Sequence, residues 1–283
     1  MMLISKPKEC FHQVTLWKRE GKTIGFVPTM GALHSGHMAL VERARNECDK
    51  VVVSIFVNPL QFGKNEDYHV YPRKPDEDVT LLKDAGVDLV FVPAAEDMYP
   101  EGFATKVVVA GPAQHYEGVS RPGHFEGVAT VLIKLFNIIP ADKAYFGLKD
   151  AQQVAVVKRM VQDLNVPVGI VVHPVVRDAD GLALSSRNVY LEQKHVRDRA
   201  NVIYRALMHL YRSYKQGIRE ANVLKEIAIE VLSSESDFIL DYIDIVDPDR
   251  FVPLEDARDG SLVVVAGRLA GVRLIDALEL YSG

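Results

Sequence analysis

Apolar runs and helical periods alternate through the first half of the chain. Thr23–Thr29 is β-branched and aromatic and reads as a buried strand. After a turn containing Gly and His, the apolar positions Met38, Val41, Ala44 and Cys48 recur at helical spacing and predict a helix from about Gly36 to Cys48. Val51–Val57 is a second continuous apolar strand, Pro75–Ala85 a helix and Asp88–Val92 a third strand. Gly123–Ile138 reads as a helix and Lys143–Phe146 as a short strand. Asp150–Leu164 carries Val154, Val157, Val161 and Leu164 on one helical face, and Val168–His173 is another strand. Strands without polar alternation, separated by helices, predict an α/β parallel sheet covered on both faces. Such sheets bind ligands beyond the carboxyl ends of their strands, here in the loops after Thr29, Val57, Phe146 and His173.

Past Val175 the pattern changes. Arg177–Asn188 is a polar loop with an Asp180-Gly181 turn signal. Glu192–Gln216 and Arg219–Ser233 read as two helices joined near Gly217. Phe238–Val246, Ser261–Ala266 and Val272–Ala277 read as strands of a small antiparallel sheet. The expected organisation is a parallel-sheet domain over residues 1–175 and a smaller α+β domain over 176–283.

Composition narrows the class. The chain has 283 residues, 48% of them hydrophobic and 25% charged, enough for a sizeable core. The formal net charge of -5 disfavours a general nucleic-acid binder, although one pocket can still be positive. Cys10 and Cys48 form neither a disulfide framework nor a CxxC metal pair. Met1 to Lys8 lacks the apolar run of a signal peptide, and no run is long enough to span a bilayer. A cytoplasmic protein without membrane or nucleic-acid partners is expected.

Two segments carry candidate chemistry. Met30 and Gly31 lead from the first strand into His34-Ser35-Gly36-His37, which opens the first helix. Gly36 permits close backbone approach, and a helix N-terminus offers N–H groups to phosphate. Two imidazoles there can donate to one phosphate chain and stabilise charge that grows during adenylyl transfer. The same two histidines can also simply cap the helix. A zinc site has no third ligand at suitable spacing. The second segment, Asp180 to Asn188, places Leu184, Ser185, Ser186 and Arg187 together, and paired hydroxyls with a guanidinium suit phosphate oxygens. Its alternative reading is an interdomain linker with a helix cap.

Together the tetrad and the SSR loop resemble the HIGH and KMSKS pair of the nucleotidylyltransferase superfamily. Five blocks match in order, the last containing the SSR loop: Phe56-Val57-Asn58-Pro59-Leu60-Gln61-Phe62, Met98-Tyr99-Pro100, Arg121-Pro122-Gly123-His124-Phe125-Glu126-Gly127-Val128, Phe146 to Gln153, and Asp180 to Asn188. They resemble the pantothenate synthetase family from about Val27 to Asn188, and Gly271–Asp276 also fits. The resemblance implies a Rossmann-like N-terminal domain and a smaller lid domain carrying the SSRN loop. It also implies a cytoplasmic homodimer that uses Mg-ATP to activate pantoate as an adenylate and passes the acyl group to β-alanine.

Site roles follow from residues and resemblance together. The amides of Asn58, Gln61 and Gln153 can orient a small polar acid without a charge penalty. By family likeness Gln61 and Gln153 bind pantoate, and Gln61 also meets β-alanine. Gly147, Leu148 and Asp150 are ATP candidates, with Asp150 suited to ribose hydroxyls or to helix capping. Lys149 is placed to neutralise phosphate charge, and Val176 to meet adenine through its backbone. Met30 is assigned near the reacting carboxylate or nucleotide, and Tyr71 and Arg121 to the substrate pocket. The resemblance makes His37 the acid, while the residue itself supports a phosphate donor able to carry a proton. No metal ligand is assignable. A related enzyme acting on a phosphorylated acceptor would need a more basic pocket. A nucleotide-sensing protein without turnover would release no pyrophosphate.

Overall fold

The fold is described from a computed structural model, and the residues described are 1–63 and 66–282. The chain folds as two compact units, Met1–Gly147 with Val156–His173, and Leu148–Ala155 with Pro174–Gly283.

In the first unit six strands form one parallel sheet: β1 (Met2–Ile4), β2 (Ile24–Thr29), β3 (Lys50–Ile55), β4 (Leu89–Phe91), β5 (Lys143–Gly147) and β6 (Gly169–His173). Their order is β1-β4-β3-β2-β5-β6. The chain therefore builds outward from β2 on one side and then returns to place β5 on the other. That reversal is where doubly wound sheets open a crevice at their carboxyl ends. The register agrees, because β2 pairs with β3 from Ile24–Lys50 to Thr29–Ile55 but with β5 only at Gly25–Lys143 and Phe26–Ala144. The carboxyl halves of β2 and β5 are thus not bonded to each other.

The helices are α1 (Pro7–Arg19), α2 (Ser35–Glu47), α3 (Pro75–Asp84), the single turns α4 (Ala95–Met98) and α5 (Glu117–Ser120), α6 (His124–Ile138), α7 (Ala151–Asp163), α8 (Val189–Gln193), α9 (Val202–Lys215) and α10 (Ala221–Ser233). Proline begins α1 and α3, where its fixed φ suits the first turn and its missing N–H is not needed. Leu40, Val41 and Ala44 of α2 pack with Val27, Val51, Val53, Val90 and Leu82 in one core. The strands are apolar without alternation because helices cover both faces. The second unit sets β7 (Phe238–Val246), β8 (Leu262–Leu269) and β9 (Val272–Glu279) in an antiparallel sheet, order β7-β8-β9. Val202, Ile203, Ala206, Leu207, Leu210 and Tyr214 form the buried stripe of α9 against that unit's core. The α/β class, with a parallel-sheet domain and a smaller α+β domain, is as the sequence indicates.

The expected helix Glu192–Gln216 is corrected. It is split into α8 and α9 by His195, at φ 56°, and by a 3-10 turn at Arg197–Arg199. Tertiary bonds override local propensity there. Val196 and Ala200 are buried, and Arg197 binds Asp178 at 2.5 Å and Asp180 at 2.6 Å. Two N-terminal elements, β1 and α1, lie outside the expected set. β1 is an edge strand of three residues, too short for the apolar Met2-Leu3-Ile4 to register as a strand by pattern.

Candidate active site

The loop after β2 is built by side chains beneath it. The Thr29 hydroxyl donates to the Ser54 carbonyl at 2.7 Å and accepts the Gly31 N–H at 3.2 Å. Gly31 and Ala32 both take positive φ, 82° and 49°. A Cβ on Gly31 would lie 2.9 Å from Asp78 Oδ2 and 3.0 Å from Ile55, so only glycine fits. The Asp78 carboxylate, 1% exposed, accepts the Ala32 and Leu33 N–H groups, each at 2.8 Å. This residue of α3 holds the strained turn that delivers the first histidine. The sequence does not single it out, because beside Asp76 and Glu77 it looks like ordinary first-turn acid complementing the helix dipole.

His34 is the N-cap of α2, and its Nδ1 accepts the Gly36 N–H at 3.1 Å. The His37 Nδ1 accepts the His34 N–H at 3.3 Å. A ring nitrogen that accepts carries no proton, so each neutral imidazole bears its hydrogen on Nε2. The ring centroids are 4.1 Å apart. Capping and phosphate donation are therefore compatible: Nδ1 does the first and leaves Nε2–H as the group that would serve the second.

After β3, Asn58 is 1% exposed and fully engaged. Its NH2 donates to Gln61 Oε1 at 3.0 Å and to the Gly127 carbonyl at 3.1 Å, and its Oδ1 accepts from the Leu60 N–H and the Tyr99 hydroxyl. Gln61, half-buried, donates to Met30 Sδ at 3.2 Å. Met30, Asn58 and Gln61 are thus brought together, with Asn58 holding Gln61. Arg121 grips Glu66 with two bonds of 2.7 Å and lies 3.0 Å from His124 Nε2, while His124 Nδ1 lies 2.9 Å from the Gln61 carbonyl. Burial, then the nearby Arg121 charge, push the His124 imidazole down to about 4. The neutral ring donates from Nδ1 to that carbonyl and accepts from Arg121 at Nε2. Arg121 therefore braces the loop through His124 and Glu66. Tyr71 is 6% exposed and packs edge-on to Phe62 at 5.9 Å. Tyr99 and His124 lie within family segments and Glu66 in none, and no sequence signal separates the three from their neighbours.

In the second unit, Leu148–Asp150 is a 3-10 turn packed on β9 that leads into α7. Lys149 Nζ lies 3.6 Å from Asp150, whose side chain is 46% exposed. Gln153 is half-buried and Gln152 buried in the first turn of α7. The root of the Ser185-Ser186-Arg187 loop is braced. The Val176 carbonyl accepts the Leu184 N–H at 3.0 Å, and Arg197 ties down Asp178 and Asp180. Arg177 forms a bidentate pair with Asp276 at 2.5 and 2.9 Å and also donates to the Gly181 carbonyl. Burial pushes the Asp276 carboxyl up, opposed by the Arg177 guanidinium. Ser185 Oγ caps the following turn by accepting the Arg187 N–H at 3.3 Å. The loop is a well-anchored turn rather than a slack linker. Among the described residues no group of three or more His, Cys, Asp or Glu side chains is arranged to hold a metal ion.

A doubly wound parallel sheet, with capped imidazole donors at the helix start after β2, defines an α/β protein of the nucleotide-binding class. More particularly, the chain belongs to the pantoate-beta-alanine ligase family, whose profile matches residues 2–279. Pantothenate synthetases from Thermus thermophilus and Koribacter versatilis are 55% and 53% identical to it over 264 residues, covering 93% of this chain and 94% and 90% of theirs. The crystal structure of the Thermus thermophilus pantothenate synthetase matches with TM-score 0.94 and 50% identity over 99% of this chain and 100% of that one. That of pantoate-beta-alanine ligase from Francisella tularensis, complexed with beta-gamma ATP and beta-alanine, matches with TM-score 0.81 and 35% identity over 99% and 97%.

Proposed function

We infer that the protein condenses pantoate with β-alanine at the expense of ATP, giving pantothenate, AMP and pyrophosphate through a pantoyl adenylate. The observation that carries this reading is the family match over residues 2–279. A pantoate carboxylate oxygen attacks the α-phosphorus and pyrophosphate leaves with the bonding pair. The amine of β-alanine then attacks the acyl carbon and AMP leaves. The carboxylate is already ionised and needs no base. His34 and His37 offer Nε2–H donors to the phosphates, where charge grows on the α-phosphate oxygens and the departing pyrophosphate. Lys149, Ser185, Ser186 and Arg187 are assigned to the same phosphates, and Gly31, Gly36, Gly147, Leu148, Asp150, Val176 and Leu184 to the rest of ATP. Gln61 and Gln153 are assigned to pantoate, with Met30 beside the reacting group. Asn58, Tyr71 and Arg121 shape the loop that holds Gln61. In this assignment residues 1–175 bind ATP and pantoate and residues 176–283 carry the SSRN loop.

Magnesium would arrive on ATP. It keeps most of its waters and takes phosphate oxygens, so it fits a site without a protein cage, and there it would neutralise the leaving pyrophosphate. By family likeness the enzyme is assigned to the cytoplasm as a homodimer, and among the described residues no helix is long and apolar enough to cross a membrane. ATP–pyrophosphate exchange across a panel of small acids tests the function. Exchange should depend on pantoate, with multiple turnovers of AMP only when β-alanine is added. Equal exchange with unrelated acids, or none with pantoate, overturns it.

A further inference from the structure

Groups that can only donate fix the direction of every bond around Gln61. The Leu60 backbone N–H lies 3.2 Å from one end of the Asn58 amide, which must therefore be the oxygen. The other end is the NH2, and it faces two acceptors, the Gly127 carbonyl at 3.1 Å and the Gln61 amide at 3.0 Å. A carbonyl cannot donate, so this orientation of Asn58 is the one that satisfies both backbone groups. Gln61 in turn must present its oxygen to Asn58 and its NH2 to the opposite side, toward Met30 Sδ at 3.2 Å. A thioether is a weak acceptor, and the NH2 keeps a second N–H with no partner among the described residues. Tyr99 closes the chain by donating to Asn58 Oδ1 at 2.7 Å. Burial pushes its phenol well up, so the hydroxyl keeps its proton at neutral pH. Asn58 is 1% exposed, which leaves little room for water to replace any of these partners.

We propose that Asn58 and Tyr99 are positioning residues that set the polarity of the Gln61 amide, so that it meets pantoate as a hydrogen-bond donor. This rests on the assignment of Gln61 to pantoate and goes beyond it by naming what decides which end of the amide the substrate meets. An amide is nearly symmetric in shape, so packing alone leaves its two ends interchangeable. Here the choice is made by the backbone N–H of Leu60 and relayed through Asn58. A donor at that position suits the oxygens of an ionised hydroxy acid.

Steady-state kinetics of Gln61→Ala, Gln61→Glu, Asn58→Asp and Tyr99→Phe, with thermal midpoints, test the proposal. Asn58→Asp keeps acceptors for Leu60 and Tyr99 but puts an oxygen where the NH2 stood. Gln61 then turns its own NH2 toward the new carboxylate and shows pantoate an oxygen. Gln61→Glu makes the same reversal from the other side while keeping the bond from Asn58. Both should raise KM for pantoate about tenfold or more while KM for ATP stays within about twofold. Tyr99→Phe should raise KM for pantoate by about two- to fivefold, with a near-normal midpoint. A large effect of Gln61→Ala beside unchanged pantoate KM in Asn58→Asp or Gln61→Glu overturns the polarity relay and leaves the pocket assignment intact. Unchanged pantoate KM in Gln61→Ala overturns the pocket assignment itself. Parallel rises in both KM values with a lowered midpoint show a merely structural role and also overturn the relay. If Asn58→Asp does not fold, Gln61→Glu and Tyr99→Phe decide the question.

Discussion

At the scale of single residues, the proposed assignment gives the same side chains a structural and a chemical part. His34 and His37 each give Nδ1 to a backbone N–H at the start of α2, which orients the ring and places the proton on Nε2. In the proposed assignment, a helix cap thereby preorganises the donor to phosphate. His37→Ala and Lys149→Ala should each slow pantoyl adenylate formation by roughly 10²–10³, the scale of losing one donor aimed at developing charge. His37→Ala should also lose part of a cap, about 0.5–2 kcal/mol of stability. Single-turnover quench experiments beside thermal melts separate the two effects. A stable variant with parent-like adenylation removes that residue from the mechanism. Asp78 shows the limit of reading residues singly, because its two bonds to the Ala32 and Leu33 N–H groups, not its composition or neighbours, give it a role.

At the scale of elements, the close approach of α6 to the loop after β3 places Gln61. A Cβ added to Gly127 would lie 2.3 Å from the Leu60 carbonyl oxygen and 2.5 Å from the Gln61 nitrogen. These are backbone atoms, so either α6 or the loop must move. The Gly127 carbonyl also accepts from Asn58, so the shift reaches the amide that holds Gln61. Gly127→Ala should cost about 1–3 kcal/mol of stability by overpacking and raise KM for pantoate more than KM for ATP. Urea unfolding and initial rates measure both. Parent-like values in the two assays would show that α6 can retreat without disturbing the loop. The family block containing Gly127 is legible in the sequence, but the reason for its glycine is not, since it lies in a contact between residues far apart along the chain.

At the scale of the whole molecule, stability should carry the signature of one buried imidazole. His124 takes a proton near 6.5 in the unfolded chain and only near 4 when folded, because burial and then Arg121 disfavour the cation. The folded state thus binds fewer protons between those values. The contribution of this group is fully present above about 6.5 and is lost as pH falls toward 4, at about 1.4 kcal/mol per pH unit at most. Urea unfolding as a function of pH should show this slope in the parent and a shallower one in His124→Gln. Equal slopes would mean that other groups dominate acid destabilisation. Pantoate binding to the folded protein should weaken only as pH approaches 4, where the folded ring itself takes a proton and can no longer accept from Arg121 at Nε2.

The sequence by itself determined the parallel-sheet class, the strands that became β2 to β6, and the placement of His34 and His37 at the entrance to α2. Each of these is written in local order: unalternated apolar runs record burial on both faces, and motifs record their own spacing. The tertiary structure alone decided that β2 lies between β3 and β5, that α3 sends Asp78 under the loop after β2, and that His195 breaks a periodic helix. It also decided which end of the Gln61 amide faces Asn58. Those choices depend on pairings between distant segments and on the direction of hydrogen bonds, and neither leaves a period or a composition in the chain that could be read beforehand.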